Sequence, residues 1–189
     1  MPFTLYDETN APDEAREGLA QTKKNMGTIP NLERVMAGAP PLLNGHAVLW
    51  ENFFSCSLAP AERHVVCLTA NFENECNYCV PWHVYLAKED GVDQAVIDAV
   101  INGTVVPDPK LEVLRNFTRS MIANRGKISQ GELQAFFDAG FTEANALEVI
   151  LGLAVKTISN YTNSIAGTPL DKAMQKHRWT KPKIPMSEG

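Results

Sequence analysis

Hydrophobic positions recur at steps of three and four along nearly the whole chain. Leu42, Leu43, His46, Leu49, Trp50, Phe53 and Phe54 form one stripe, and Val92, Val96, Ile97, Val100 and Ile101 form another. Leu111, Leu114, Thr118, Met121 and Ile122 mark a third, and the longest runs through Leu147, Ile150, Leu151, Ala154, Ile158, Tyr161 and Ile165. Such spacing gathers side chains on one face of a helix, and no stretch shows the sustained alternation of a half-buried strand. Start and stop signals fall between the stripes. Pro60 stands near one start, Gly91 follows one end, and Pro107 and Pro109 precede the next start. Ser129 with Glu132 spells a capping box, Gly140 precedes Thr142, and Gly167 precedes Pro169. The pattern predicts an all-α, single-domain helical bundle over residues 1–189, with about eight helices. An N-terminal entry segment (about 1–40) leads into it and a basic C-terminal tail (about 171–189) follows.

Two segments stand apart from a simple amphipathic bundle. In the last stripe Val149, Leu153 and Val155 add to the apolar face, so more than half the circumference is apolar. Such a helix is expected to be buried, in the middle of the bundle or between subunits. Lys172, Lys176, His177, Arg178, Lys181 and Lys183 form the one basic cluster, which reads as a solvated tail broken by Pro182 and Pro185.

Composition narrows the class. A chain of 189 residues with 44% hydrophobic residues fits one domain with a proper core. Seventeen basic against 22 acidic side chains give a net charge of −5 with no long basic block, so nothing favours nucleic acid as a partner. The longest apolar run, Val149 to Val155, is seven residues between Glu148 and Lys156, well short of the roughly 20 that span a bilayer. The start, Met1-Pro-Phe-Thr-Leu-Tyr-Asp7-Glu8, lacks the basic and apolar regions of a signal peptide. Four cysteines, two of them paired at redox spacing, suit a reducing compartment, and the expected location is the cytoplasm.

The candidate chemistry lies in Glu73-Asn-Glu-Cys76-Asn-Tyr-Cys79-Val-Pro-Trp-His83. A thiolate, not a thiol, attacks peroxides and disulfides, and a cysteine of pKa about 8.5 is mostly protonated at neutral pH. With a helix from about Cys79, His83 falls at i+4 on the same face, where an imidazole can take the thiol's proton. Pro81 suits a first helical turn, and the helix dipole there also favours a thiolate. Cys76, three residues upstream, is placed to condense with an oxidised Cys79 and guard it from over-oxidation. Other readings compete. His64, Cys67, Cys76, Cys79 and His83 are rich enough to ligate zinc, although the second tight ligand pair of a structural site is missing. A c-type haem is excluded, because Val80 stands where the histidine must follow the second cysteine. The cysteines could also be plain core residues.

Other residues carry less. His46 lies on an apolar stripe and reads as a core or interface histidine rather than a ligand. Cys56 and Cys67 read as small buried hydrophobes. Trp82 and Tyr78 flank the thiols, where they line a substrate pocket or cover the site from water.

Leu58-Ala-Pro-Ala-Glu62-Arg63-His64-Val65-Val66, then Asn71-Phe-Glu73-Asn74-Glu-Cys76-Asn-Tyr-Cys79 and His83, resemble the AhpD-like alkylhydroperoxidases of the carboxymuconolactone decarboxylase superfamily. Gly27-Thr-Ile-Pro30-Asn31-Leu32 and Pro40-Pro41-Leu42-Leu43 resemble that family's entry segment, so the likeness covers most of residues 25–170. It implies an AhpD-like bundle, a homo-oligomer (trimer or hexamer), and a thiol-dependent peroxidase. In that scheme Cys79 attacks an organic hydroperoxide or hydrogen peroxide, Cys76 resolves the sulfenic acid as a disulfide, and His83 is the relay base. A dithiol reductant, protein or small thiol, resets the pair, and no cofactor or metal is expected. The chain departs from the pattern twice. The family's relay glutamate falls at His64, and Tyr78 stands where the best-known members have histidine. Glu62 and Glu73 are the nearby carboxylates, some 16 Å apart on one helix face. Glu73 is the expected relay carboxylate, with His64 as a replacement member. Lactone decarboxylation, the superfamily's other named activity, and a non-enzymatic zinc-binding or redox-sensing role are the alternatives.

Overall fold

The computed structural model describes residues 3–183. Pro185, one of the two expected tail breaks, lies outside them. Helices α1 (Asp13–Met26), α2 (Asn31–Met36) and α3 (Pro40–Phe54) are followed by α4 (Pro60–Glu73), α5 (Cys79–Glu89) and α6 (Gln94–Asn102). Then come α7 (Pro109–Ala123), α8 (Gln130–Asp138), α9 (Glu143–Ala166) and a 3-10 turn (Lys172–His177). Among the described residues every regular element is helical, so the all-α reading stands.

The boundaries follow local chemistry. Pro40, Pro60 and Pro109 open their helices, where a missing N–H costs nothing. Asp93, Asp108, Ser129 and Thr142 each accept a hydrogen bond from the first-turn backbone of the helix they precede. Gly27 and Gly167 end α1 and α9 with φ of 72° and 57°, a left-handed conformation open to glycine at little cost.

The count exceeds the expected eight because the entry segment is itself folded, into α1 and α2. Its signal in the sequence is thin: α1 buries only Ala15 and Leu19, and α2 is six residues long. The tail also departs from expectation. Its basic side chains Lys172, Lys176, Arg178 and Lys183 are solvated as expected, but the segment itself docks: Met174 is buried against α5, Trp179 Nε1 donates to the Ile101 carbonyl at 2.9 Å, and Lys181 pairs with Glu75 at 3.4 Å. The apolar parts of these side chains hold the segment down, which a charge count does not reveal.

Helix α4 is the axis of the bundle, packing against α5, α6, α7 and α9. Val65, Val66, Cys67 and Leu68 of α4 join Phe53, Ile97, Leu114, Phe136, Val149 and Val155 in the main core. A second, smaller apolar cluster joins Leu19, Leu32, Met36 and Leu43 to Tyr78, Trp82 and Met174. Cys76 and Cys79 sit in that second cluster, beneath a roof made by the entry helices and the C-terminal turn. One face of α9 packs inward through Val149, Gly152, Val155, Lys156, Ser159, Asn160 and Asn163. Its other face leaves Leu147, Ile150, Tyr161 and Ile165 exposed, so a single chain does not bury this helix all round. Among the described residues no helix is long and apolar enough to cross a membrane.

Candidate active site

The turn between α4 and α5 sets the thiols in place. Glu75 N–H donates to the Phe72 carbonyl at 3.1 Å and Cys76 N–H to the Asn71 carbonyl at 2.9 Å, the paired bonds of a Schellman ending. Glu75 takes the left-handed position, φ 52°, that glycine usually holds. Cys79 is the first residue of α5, as its spacing predicts, and its N–H donates to Cys76 Sγ at 3.2 Å. Both cysteines are buried free thiols.

Helix α9 supplies the rest of the thiol's environment. Asn160 Nδ2 and Asn163 Nδ2 donate to Cys79 Sγ at 3.1 and 3.2 Å. Asn160 is oriented in turn by Asn71 Oδ1 and Asn74 Nδ2, each at 2.9 Å. Burial works against the Cys79 thiolate, but the Cys76 S–H, the Lys156 ammonium and the two amides outweigh it and bring the thiol down to about 6. Cys76 moves the opposite way, raised by giving its proton toward Cys79 and by burial. One sulfur is therefore favoured as a thiolate and its neighbour as a thiol.

His83 is placed differently from expectation. Its Nε2 meets Lys156 Nζ at 2.8 Å rather than the sulfur. Burial and the nearby Lys156 charge hold the imidazole well below its usual range, so it is neutral and accepts from the ammonium. The base of the expected relay thus acts as the seat of a buried cation, and the cation stabilises the thiolate. His64 does stand beside His83, with ring centroids 6.3 Å apart, and its Nε2 meets Asp90 Oδ2 at 2.7 Å.

Glu73 is not part of this constellation. As the last residue of α4 it faces α7 and pairs with Arg119 at 3.2 Å. Glu62 caps the start of α4 through the Ala59 N–H and pairs with Lys110, both at 2.7 Å. The carboxylate that does reach the site is Glu33, on α2. It lines a cavity of about 40 Å³ together with His46, Trp50, Tyr78, Cys79, Trp82, His83 and Lys156. Met26, Glu33, His46 and Trp50 also border a groove of about 770 Å³ along α1 and α3, so the cavity continues outward there. Tyr78 and Trp82 line the cavity and are fixed at their polar ends. The Tyr78 hydroxyl donates to Asp171 Oδ2 at 2.6 Å, Trp82 Nε1 donates to the same oxygen at 3.0 Å, and Asn31 N–H to Asp171 Oδ1 at 3.1 Å. Among the described residues no three His, Cys, Asp or Glu side chains converge as a metal would require, so the zinc ligand set does not assemble.

Lys156, Asn160 and Asn163 escaped the reading of the sequence, although a signal was there. They recur at i, i+4 and i+7 inside an apolar helix, which is a polar stripe pointing at something polar. Glu33 and Asp171 have no comparable local signal.

Residues 45–120, from α3 to α7, match the profile of the Carboxymuconolactone decarboxylase family. That segment, well under half of the chain, is what resembles the family. The chain's AhpD-like fold is shared with an uncharacterised peroxidase-related protein of the alkylhydroperoxidase AhpD core from Ralstonia eutropha JMP134, at 18% identity and a TM-score of 0.82 over 92% of this chain and 93% of that one. A peroxidase-related protein from Silicibacter sp. TM1040 matches at 17% identity and a TM-score of 0.78, over 92% of each chain. The debrominase Bmp8, solved as a cysteine-to-alanine variant with 2,3,4-tribromopyrrole, matches at 14% identity and a TM-score of 0.76, over 92% of this chain and 93% of that one. No curated protein sequence matches this chain.

Proposed function

We propose that this protein is a thiol-dependent hydroperoxide reductase in which Cys79 is the nucleophile and Cys76 the resolving thiol. The observation that carries the reading is the Cys79 sulfur itself, held by two amide donors beside Cys76 and a buried lysine at the foot of a cavity. The Cys79 thiolate attacks the terminal oxygen of the hydroperoxide. An S–O bond forms, the O–O bond breaks, and the leaving alkoxide takes a proton to become an alcohol. Cys76 then attacks the sulfenic acid; its proton leaves with the hydroxyl as water, and the disulfide closes. A dithiol reductant returns both thiols by exchange. Turnover through a transient disulfide calls for a reducing compartment, and we place the protein in the cytoplasm on that ground. The exposed apolar face of α9 supports a homo-oligomer, a trimer or hexamer.

The structural likeness to Bmp8 favours a second electrophile for the same thiols, a carbon–bromine bond, since two thiols also carry the two electrons of a reductive debromination. Lactone decarboxylation, by contrast, leaves the thiol pair without a role.

A single-turnover experiment decides. Reduced protein is mixed with tert-butyl hydroperoxide, or with 2,3,4-tribromopyrrole in a parallel arm, while peroxide consumed, bromide released and free thiols lost are counted. The expected result is one peroxide for two thiols, abolished in Cys79→Ser; in Cys76→Ser the attack persists but stops at the sulfenic acid. Bromide release without peroxide consumption moves the assignment to debromination. Inert thiols in folded, reduced protein sink both.

A further inference from the structure

The reduction just proposed needs a proton for the departing oxygen, and the cavity shows where it comes from. Its polar groups fall into two sets. Lys156 is committed to His83 Nε2 at 2.8 Å, and Tyr78 and Trp82 spend their protons on Asp171 at 2.6 and 3.0 Å. Glu33 Oε2, His46 Nε2 and His83 Nδ1 are shielded from solvent and unbonded within the protein, on residues that border the same cavity as Cys79. Buried polar atoms are almost always paired, so three unpaired ones around a reactive thiol are groups reserved for a ligand, and of these His83 is held as a neutral imidazole, a weak acid.

We infer, on the footing of the peroxidase reading, that Glu33 is the catalytic acid that hands its proton to the alkoxide leaving as Cys79 attacks. The Cys79 sulfur takes the terminal OH, the O–O bond breaks, the Glu33 carboxyl proton moves to the departing oxygen, and the products are a sulfenic acid, an alcohol and a Glu33 carboxylate. Solvent returns the proton to Glu33 through the groove that it borders.

The surroundings of Glu33 fit this role. Burial, with Asp171 and Cys79 adding to it and Lys156 opposing, raises its carboxyl to about 7. His46 across the cavity on α3 is only 5% exposed, and burial lowers it to about 4 with Lys156 adding to the effect. At neutral pH His46 is therefore an uncharged imidazole, able to orient a substrate oxygen but not to act as a strong acid. Glu33 is left as the cavity group that is both protonated in useful amount and readily deprotonated. Its place within the entry segment, well before the thiols in sequence, hides it from any motif.

The test uses leaving groups of different basicity. tert-Butyl hydroperoxide expels a strongly basic alkoxide that needs the proton; peracetic acid expels acetate, which does not. In Glu33→Gln the side chain keeps its shape and an N–H but has no proton to give. The rate of Cys79 oxidation by tert-butyl hydroperoxide is expected to fall roughly a hundredfold, while that by peracetic acid changes by less than about threefold. Unaltered protein gives an independent reading: its rate with tert-butyl hydroperoxide declines as pH rises through about 7, and the decline vanishes in Glu33→Gln. Equal loss with both oxidants makes Glu33 a structural residue and overturns the inference, as does an unchanged rate with tert-butyl hydroperoxide. Unaltered protein inert to both oxidants removes the peroxidase reading, and this inference falls with it.

Discussion

A lysine that is 2% exposed inside an apolar helix carries a desolvation cost of several kcal/mol unless something answers its charge. At Lys156 the answer is double: a neutral His83 accepts at 2.8 Å, and the Cys79 thiolate supplies the opposite charge. The lysine and the thiolate are thus linked, and each makes the other's ionised form tolerable. Lys156→Met keeps the bulk and removes the charge. The pH midpoint of Cys79 alkylation by iodoacetamide, expected at about 6 in the unaltered protein, should then move upward, with the rate at pH 7 falling roughly tenfold. A midpoint that stays put would assign the thiol's acidity to the asparagines alone. This is also the scale at which the sequence was half legible. Cys76, Cys79 and His83 stand within eight residues, where spacing along one helix start is enough to bring them together. Asn160 and Asn163 reach the same sulfur from about 80 residues away, and only the docking of α9 on α4 reveals what they do. Glu73 misled for the converse reason. Its nearness in sequence ended at the Schellman turn, which sends the chain one way and the Glu73 side chain toward Arg119.

At the scale of elements, the inward register of α9 depends on a close approach. A Cβ at Gly152 would lie 2.6 Å from the ring of Phe53 on α3 and 2.9 Å from Val66 on α4. The Phe53 ring is fully buried and has nowhere to go. Alanine is a better helix former than glycine by about 1 kcal/mol, so propensity alone predicts that Gly152→Ala stabilises. Overpacking costs about 1–3 kcal/mol, and the steric term should win. The expected outcome is a lower urea midpoint, together with slower Cys79 alkylation as Lys156, Asn160 and Asn163 shift outward; a raised midpoint would mean that α3 gives way. Most elements were readable because their apolar faces repeat and their starts carry proline or a capping side chain. The entry helices and the tail were not, since they bury few side chains each and owe their conformation to the surface on which they land.

For the whole molecule the exposed face of α9 matters most. Leu147, Ile150, Tyr161 and Ile165 are 67%, 49%, 60% and 73% exposed, a run too apolar for a helix flank left in water. The proposed assembly predicts that light scattering at micromolar concentration reads a trimer or hexamer, and that Ile150→Asp with Ile165→Asp shifts it to a monomer of unchanged helicity. A monomer in the unaltered protein would count against it.

The carboxylate of Asp171 joins the entry segment to the start of the 3-10 turn, 140 positions apart, and grips Tyr78 and Trp82 on the way. The order of synthesis follows from this. While the polypeptide is being made, the cysteine pair emerges long before the amides and the ammonium that acidify Cys79, and longer still before the clasp that shapes its cavity. Through that interval Cys79 lacks the amide donors and the ammonium that lower its pKa, and its acidity is a property of the finished fold alone.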